Sequence, residues 1–181
     1  SRGNTNYASE ENFDLDLLKY QIKEVLTENG STYMIGEHID YTSDLNGQDF
    51  IYYLWHRNIS VTKFKSDGAI QWITQIPKCQ KSSTPNSNRL SFNYNFDGEN
   101  LYFIYLDVEE NVKKFSTESL KPNYESDRLV LVGAKINRDG KLNREIIEKE
   151  SSDMGGFSSI NNYPFFKNGF IIERSKKKEW G

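Results

Sequence analysis

Five Asn-Gly or Asp-Gly dipeptides in this 181-residue chain each stand between two short runs of apolar, β-branched or aromatic residues. They are Asn29-Gly30, Asp67-Gly68, Asp97-Gly98, Asp139-Gly140 and Asn168-Gly169. A tight hairpin needs backbone with positive φ, which a glycine after Asn or Asp adopts at little cost. The five dipeptides therefore predict five β-hairpins, and hence a fold made of short antiparallel strands.

The turns are regularly spaced. The glycine of each predicted turn is followed 68 to 72 residues later by the glycine of the next turn but one (30 to 98, 68 to 140 and 98 to 169). Segment 61–70 also resembles segment 133–142, since the two share a lysine, an apolar residue and an Asp-Gly pair in the same order. A repeat that contains two hairpins corresponds to four strands. Such a repeat is typical of a propeller or of a stacked array of sheets.

We therefore predict an all-β protein built from antiparallel four-stranded modules of about 70 residues. Residues 1–16 are polar and form a tail or linker, and residues 17–181 form a single β domain with modules at 17–78, 89–149 and 158–181. The architecture is β-propeller-like but incomplete, because two and a half modules cannot close a ring of about four to eight blades. An up-and-down barrel of about eight to ten strands is the alternative.

The alternation of apolar and polar residues places the individual strands. The first module has strands at Leu18–Leu26, Thr32–Tyr41, Phe50–Phe64 and Ala69–Ile76, with an irregularity at 55–58 and polar loops at 44–49 and 79–89. A helix over Leu15–Leu26 is the alternative for the first of these strands. The second module has strands at Leu90–Phe96, Leu101–Val108, Leu129–Ile136 and Leu142–Lys149, around a long loop at 109–128. The third module has strands at Ser158–Phe166 and Phe170–Arg174.

Several sequence segments resemble segments of propeller-like secreted or envelope proteins of Bacteroidota. They are Asn58–Trp72 with the following Ile76-Pro77-Lys78, Tyr33–Glu37, Leu101–Tyr105 and the terminal Lys176-Lys177-Lys178. The resemblance covers about residues 18–180. It implies a propeller-like fold and a location that is extracellular, periplasmic or associated with the outer membrane. It supplies no catalytic residues.

Composition excludes some classes of partner. The net charge of −3 lacks the basic surplus of a nucleic-acid-binding protein, and no apolar run is long enough to span a membrane. The single cysteine, Cys79, excludes an internal disulfide framework. The chain begins at Ser1 without a methionine or a signal sequence, which indicates a processed or engineered start.

Residues that could carry chemistry lack the patterns that chemistry requires. The carboxylates Glu37, Asp40, Asp107, Glu109 and Glu110 could supply an acid–base pair for glycoside hydrolysis, but no motif joins them. His38 and His56 show no metal-ligand spacing, the Asp-Gly turns lack the ligands of a calcium loop, and Cys79 has no neighbouring base. We therefore expect no catalytic residue, no metal site and no cofactor.

Aromatic residues are the better candidates for binding, because tyrosine and tryptophan bury large areas with little loss of entropy. We predict a binding site at Tyr52, Tyr53, Trp55, His56 and Arg57; a second aromatic cluster is formed by Tyr102, Phe103 and Tyr105. The third module ends early, so we predict that Phe170, Ile171 and Ile172 form an edge that pairs with a partner. The basic end at Arg174–Lys178 limits unwanted pairing at this edge.

The predicted function is that of a non-catalytic binding or scaffolding module of the cell envelope or exterior, a subunit of a larger assembly. Its partner is a protein or the remainder of a longer chain, with carbohydrate as a further possibility. A lipocalin-like barrel that binds a small ligand, a carbohydrate-active propeller enzyme and a purely structural domain are the alternatives.

Overall fold

A computed structural model of the protein describes residues 19–46, 49–83, 90–116, 119–123 and 129–150, together with the backbone of two short strands at 165–166 and 169–170. Eleven strands and one short helix are defined in these residues. In chain order they are β1 (Tyr20–Glu28), β2 (Ser31–Asn46), β3 (Asp49–Phe64), β4 (Ile70–Ile76), β5 (Gln80–Ser82), β6 (Asn93–Phe96), β7 (Leu101–Asp107), α1 (Glu109–Val112), β8 (Val130–Ile136), β9 (Leu142–Lys149), β10 (Phe165–Phe166) and β11 (Gly169–Phe170). Helix α1 spans only four residues, and no helix in the described ranges is long and apolar enough to cross a lipid bilayer.

The strands form separate antiparallel sheets. The first sheet has the order β1-β2-β3-β4, with β5 added beside β3, and the second has the order β6-β7-β8-β9. Strands β10 and β11 pair with each other as a third, two-stranded sheet. The prediction of an all-β protein with four-stranded antiparallel modules is therefore confirmed. In the described residues no strand of the first sheet pairs with a strand of the second, so the up-and-down barrel alternative is wrong.

The predicted turns are present where the structure describes them. Gly30, Gly68, Gly98 and Gly140 all have φ between +74° and +97°. Asn29 also has a positive φ of 50°, so the first hairpin has two left-handed central residues, as a type I′ turn requires. The fifth hairpin joins β10 to β11, and its connecting residues 167 and 168 lie outside the described residues.

The polar loop predicted at 44–49 is wrong. Strand β2 continues to Asn46, which pairs with Asp49 at the start of β3, so only two residues connect the two strands. The reason lies in the sequence, because Asn46 is followed by a glycine, and this sixth Asn-Gly or Asp-Gly dipeptide favours a tight hairpin. The hairpin therefore projects beyond β1, whose pairing with β2 begins at Tyr20 opposite His38. We call residues 41–46 and 49–54 the arm.

The polar loop predicted at 79–89 is also wrong over its first residues. Gln80–Ser82 forms β5 and pairs with His56–Leu54 of β3. Gln80 and Ser82 are buried although they are polar, and the Gln80 side chain donates a hydrogen bond to the carbonyl of Leu106 in β7. The long loop after β7 carries α1. The backbone carbonyl of Asn123 in this loop accepts a hydrogen bond from the Lys81 amide, and the Asn123 amide donates one to the carbonyl of Cys79.

Both four-stranded sheets contribute to one hydrophobic core. Ile35 from β2, Ile59 and Val61 from β3, and Phe103 and Val132 from the second sheet are all essentially inaccessible to solvent. Burial of each such side chain stabilises the fold by about 1.5–3 kcal/mol. The inward-facing residues alternate along β2, β3 and β8, which fixes the register of the sheets.

The turn between β8 and β9 packs against the first sheet through three hydrogen bonds. The Trp72 indole and the Lys63 ammonium both donate to the carbonyl of Arg138, at 3.1 and 3.3 Å. The Thr74 hydroxyl donates to the carbonyl of Gly140 at 2.6 Å. At the equivalent turn of the first sheet, no atom lies within 4 Å of the position that a Cβ on Gly68 would occupy. The two similar turns therefore have different surroundings.

Candidate functional site

A β-bulge interrupts the pairing of β2 with β3 and defines the centre of the candidate site. Glu37 pairs with Ile59, whereas Ile39, two residues later, pairs with His56, three residues earlier. Strand β3 therefore carries one extra residue within 57–58, and the predicted irregularity at 55–58 is confirmed. Bulges redirect side chains and are frequent beside functional sites. Here the bulge lies between a buried ionic network on one side and a cavity on the other.

The buried network is centred on Glu37, whose carboxylate is fully inaccessible to solvent. The ammonium of Lys78, also fully buried, lies 2.6 Å from Glu37 Oε1. Glu37 Oε2 lies 2.9 Å from His56 Nδ1 and accepts a 2.8 Å hydrogen bond from the Ser91 hydroxyl. The Lys23 ammonium approaches the same oxygen at 3.5 Å. One carboxylate thus links β1, β2, β3 and the segments on either side of β5.

Gln80 extends the network towards the second sheet. Its Oε1 accepts hydrogen bonds from Lys78 Nζ at 2.9 Å and from the Ser91 amide at 2.7 Å. Its Nε2 donates to the carbonyls of Leu106, at 2.8 Å, and Ser91, at 3.3 Å. These contacts hold Ser91 at a φ of +74°, a backbone conformation that costs a non-glycine residue about 1–3 kcal/mol.

Electrostatics keep the Glu37 carboxylate charged. Burial would raise its pKa, but the Lys78 ammonium and the His56 ring hold the pKa well below its usual range. Burial lowers the pKa of Lys78, and the Glu37 charge opposes that shift. Glu37 and Lys78 therefore form a buried ion pair. Removal of one partner leaves the other charge uncompensated.

Asp107, at the end of β7, lies beside this network. Its Oδ1 accepts hydrogen bonds from the Val108 amide and the Asn111 side chain, both at 2.8 Å. Its Oδ2 is buried and has no hydrogen-bond partner within the described residues. Burial raises the pKa of Asp107 to about 7, against the opposing effect of those two hydrogen bonds.

The free energy of unfolding is expected to fall as the pH rises from about 4 to about 7, because of Asp107. The unfolded carboxyl loses its proton near pH 3.8, whereas the folded one keeps it to about pH 7, so the folded state binds more protons between these values. Asp107→Asn keeps the Oδ1 acceptor and cannot ionise, so the variant should lose less stability than the wild type between pH 5 and 8. Urea denaturation at the two pH values measures this difference. An identical fall in both proteins would show that Asp107 does not titrate in this range.

A cavity of about 270 Å³ lies on the other side of the bulge. Strand β2, the bulge in β3, the segment after β4 and the long loop after β7 all contribute to its wall. Its lining residues are His38, Asp40, Arg57, Asn58, Lys78, Cys79 and Leu120. Lys78 thus connects the cavity with the buried network. Burial raises the pKa of the Cys79 thiol, which makes it a poor nucleophile.

The structure does not bring the five predicted binding residues into one surface. Tyr53, Trp55 and Arg57 alternate along one face of β3, where Lys81 of β5 joins them. The Lys81 ammonium lies 3.7 Å from the ring centroid of Tyr53 and 4.8 Å from that of Trp55, and the Arg57 guanidinium lies 4.5 Å from the Trp55 ring. Tyr52 faces the opposite side of the strand and is exposed, because successive side chains alternate.

His56 is buried and belongs to the network around Glu37, so it is not a surface contact. In the second aromatic cluster, Phe103 and Tyr105 are core residues, and the Tyr102 hydroxyl donates to Asp97 at 2.8 Å. Of the predicted partner edge, Phe170 lies in β11, and Ile171 and Ile172 lie outside the described residues. The basic end at 174–178 lies outside them as well.

The carboxylates that could have supplied an acid–base pair are dispersed. Glu37 and Asp107 are buried, Asp40 lines the cavity, and Glu109 forms a surface ion pair with Lys149 at 2.7 Å. Across the described ranges, no group of three or more His, Cys, Asp or Glu side chains could hold a metal ion.

Sequence reasoning missed Lys78, Gln80 and Ser91. A polar residue in a polar segment gives no indication that distant elements will bury it, so only Pro77, which ends β4, marked this region.

Comparisons with protein-family models, with curated proteins and with solved structures found no match to the chain. A functional proposal for this protein therefore depends on the contacts, burial and charges described above.

Proposed function

We propose that this protein is a non-catalytic binding or scaffolding module that recognises a protein partner through the arm. The exposed apolar face of the arm is the observation that carries this proposal. The protein is proposed to act in the cell envelope or outside the cell, as one subunit of a larger propeller-like assembly. The location follows from the resemblance to secreted and envelope proteins, and the two open four-stranded sheets support the idea of a larger assembly.

One face of the arm is apolar and aromatic. Directly opposed residues of an antiparallel pair point to the same side of the sheet. Tyr41 is opposed to Leu54, Ser43 to Tyr52, and Leu45 to Phe50, so none of the six side chains on this face is charged. Tyr41, Leu45, Phe50 and Tyr52 are between 62% and 71% exposed.

Such a face is costly to leave in water and is typical of an interaction site. Contiguous apolar surface on a soluble protein usually marks a binding surface, and tyrosine is enriched among the residues that dominate binding energy. The opposite face of the arm carries the charged residues Asp44 and Asp49 beside Ile51 and Tyr53, and the Lys81 ammonium lies over the Tyr53 ring. The separation of the two faces favours a partner on one side only.

The alternatives receive less support. A lipocalin-like function requires a closed barrel, and the strands of the described residues form separate open sheets. Hydrolysis of glycosides requires two carboxyl groups about 5–9.5 Å apart in an open cleft. In the described part of the chain, Asp40 is the one carboxylate that lines the cavity, and Glu37 is held by Lys78.

A photo-crosslinking residue at position 52 is expected to capture a discrete protein partner in the cells that make this protein. The same residue at position 49, on the opposite face of β3, is the matched control and should capture none. With the purified partner, Phe50→Ser should weaken binding by at least about 30-fold, since central aromatic contacts contribute about 2 kcal/mol or more. Asp49→Ser should leave the affinity unchanged. Equal crosslinking at positions 49 and 52, or no loss of affinity in Phe50→Ser, would overturn the proposal.

A further inference from the structure

The cavity beside the bulge contains a hydrogen-bond donor that lacks an acceptor. Arg57 Nε is buried and has no hydrogen-bond partner within the described residues, although Arg57 lines the cavity. Buried polar groups in proteins are nearly always hydrogen-bonded, so an unpaired donor requires an explanation. The planar guanidinium group favours carboxylates and phosphates, to which it donates two parallel hydrogen bonds. Arg57 therefore indicates a place for an anionic group.

The charges around the cavity favour a single negative charge on the ligand. Lys78 also lines the cavity, but its charge is already paired with Glu37. Asp40 also lines the cavity and forms an ion pair with Lys19 at 3.7 Å. Arg57 forms no ion pair in the described part of the chain, so it supplies one uncompensated positive charge. A carboxylate satisfies this charge, whereas Asp40 would repel a doubly charged phosphate.

The other lining groups suit a ligand with hydroxyl groups. The Asp40 carboxylate accepts hydrogen bonds, and the Asn58 amide and the His38 ring can both donate and accept them. The volume of about 270 Å³ lies just below the range of about 300–1,000 Å³ for drug-sized ligands. A ligand the size of one sugar ring is therefore appropriate. The guanidinium of Arg57 is also held in place by its contact with the Trp55 ring at 4.5 Å, so little entropy is lost when a ligand binds.

We propose that this cavity binds a small hydroxylated carboxylate of the sugar-acid class, with its carboxylate on Arg57 and its hydroxyl groups on Asp40, Asn58 and His38. This site is separate from the arm. Its occupation does not depend on the protein partner proposed above.

NMR titration of the full chain with glucuronate tests this proposal. We expect saturable shifts of the backbone amides of His38, Asp40, Asn58 and Cys79. Glucose has the ring hydroxyl groups without the carboxylate, and acetate has the carboxylate without the hydroxyl groups, so both should bind more weakly than glucuronate. Glucuronate should also bind when Phe50 is replaced by serine, because the arm is a different surface.

Arg57→Lys keeps the positive charge and removes both the Nε donor and the planar fork. The variant should bind glucuronate at least about tenfold more weakly, because a hydrogen bond to a charged group contributes about 1.5–3 kcal/mol. Lys81→Gln is the matched control, because Lys81 also contacts Trp55 but does not line the cavity, and it should bind as the wild type does. The proposal is overturned if the wild-type shifts do not saturate, if glucose or inorganic phosphate binds as tightly as glucuronate, or if a folded Arg57→Lys variant binds with unchanged affinity.

Discussion

Glu37→Gln is expected to destabilise the fold by about 3–5 kcal/mol, because it leaves the buried Lys78 ammonium without its counter-charge. Glutamine has nearly the same shape as glutamate, and its one oxygen can still accept hydrogen bonds from His56 and Ser91, but its amide nitrogen then faces the Lys78 ammonium and cannot pair with it. The loss should therefore come from the missing charge rather than from a cavity. Urea denaturation at pH 7 measures the change in the free energy of unfolding.

Two further variants separate this effect from a general loss of packing. Removal of both charges in Glu37→Gln/Lys78→Met should recover a large part of the stability, because a neutral pair leaves no buried charge uncompensated. Glu109→Gln removes a carboxylate from an exposed ion pair with Lys149 and should change stability by less than about 1 kcal/mol. If Glu37→Gln were no more costly than Glu109→Gln, the buried Lys78 ammonium would not depend on the Glu37 charge for its stability in the fold.

Gly140→Ala is expected to destabilise the protein by about 2–5 kcal/mol, and Gly68→Ala by only about 1–2 kcal/mol. Both glycines have φ near +83°, so the cost of a left-handed alanine, about 1–2 kcal/mol, applies to both. At Gly140 the added methyl group would also lie 2.8 Å from Cγ and Cδ2 of Trp72, whereas nothing lies within 4 Å at Gly68. Displacement of a packed ring adds about 1–3 kcal/mol.

Thermal or urea unfolding of the two variants measures the difference directly, since each turn is the control for the other. The melting temperature of Gly140→Ala should be the lower of the two. Equal destabilisation would mean that the β8–β9 turn can move away from Trp72, and that the three hydrogen bonds between this turn and the first sheet are weak.

The strands of this fold could largely be predicted from sequence because the information for them is local. An Asn-Gly or Asp-Gly pair between apolar runs specifies a hairpin without help from distant residues. The same rule, applied to Asn46 and the glycine after it, places β2 and β3 correctly. The prediction of a loop there gave more weight to the polar residues around the turn than to the turn itself.

The candidate site was less predictable because its contacts join residues that are far apart in the chain. No local pattern indicates that Glu37 meets Lys78, or that Ser91 meets both Glu37 and Gln80. Part of the error was avoidable, however. The period of two along a strand already places Tyr52 and Tyr53 on opposite faces, so a single site that includes both was not to be expected.

The two Asp-Gly turns that look alike in sequence are not interchangeable in use. A fluorophore, an affinity tag or an inserted peptide at Asp67-Gly68 would extend into open solvent, because nothing lies near a side chain at Gly68. The same attachment at Asp139-Gly140 would separate the turn from Trp72 and Thr74. The first turn is thus a suitable position for labelling or immobilising the protein with the arm and the cavity intact. Labelling at the second turn would break the contact between that turn and the first sheet.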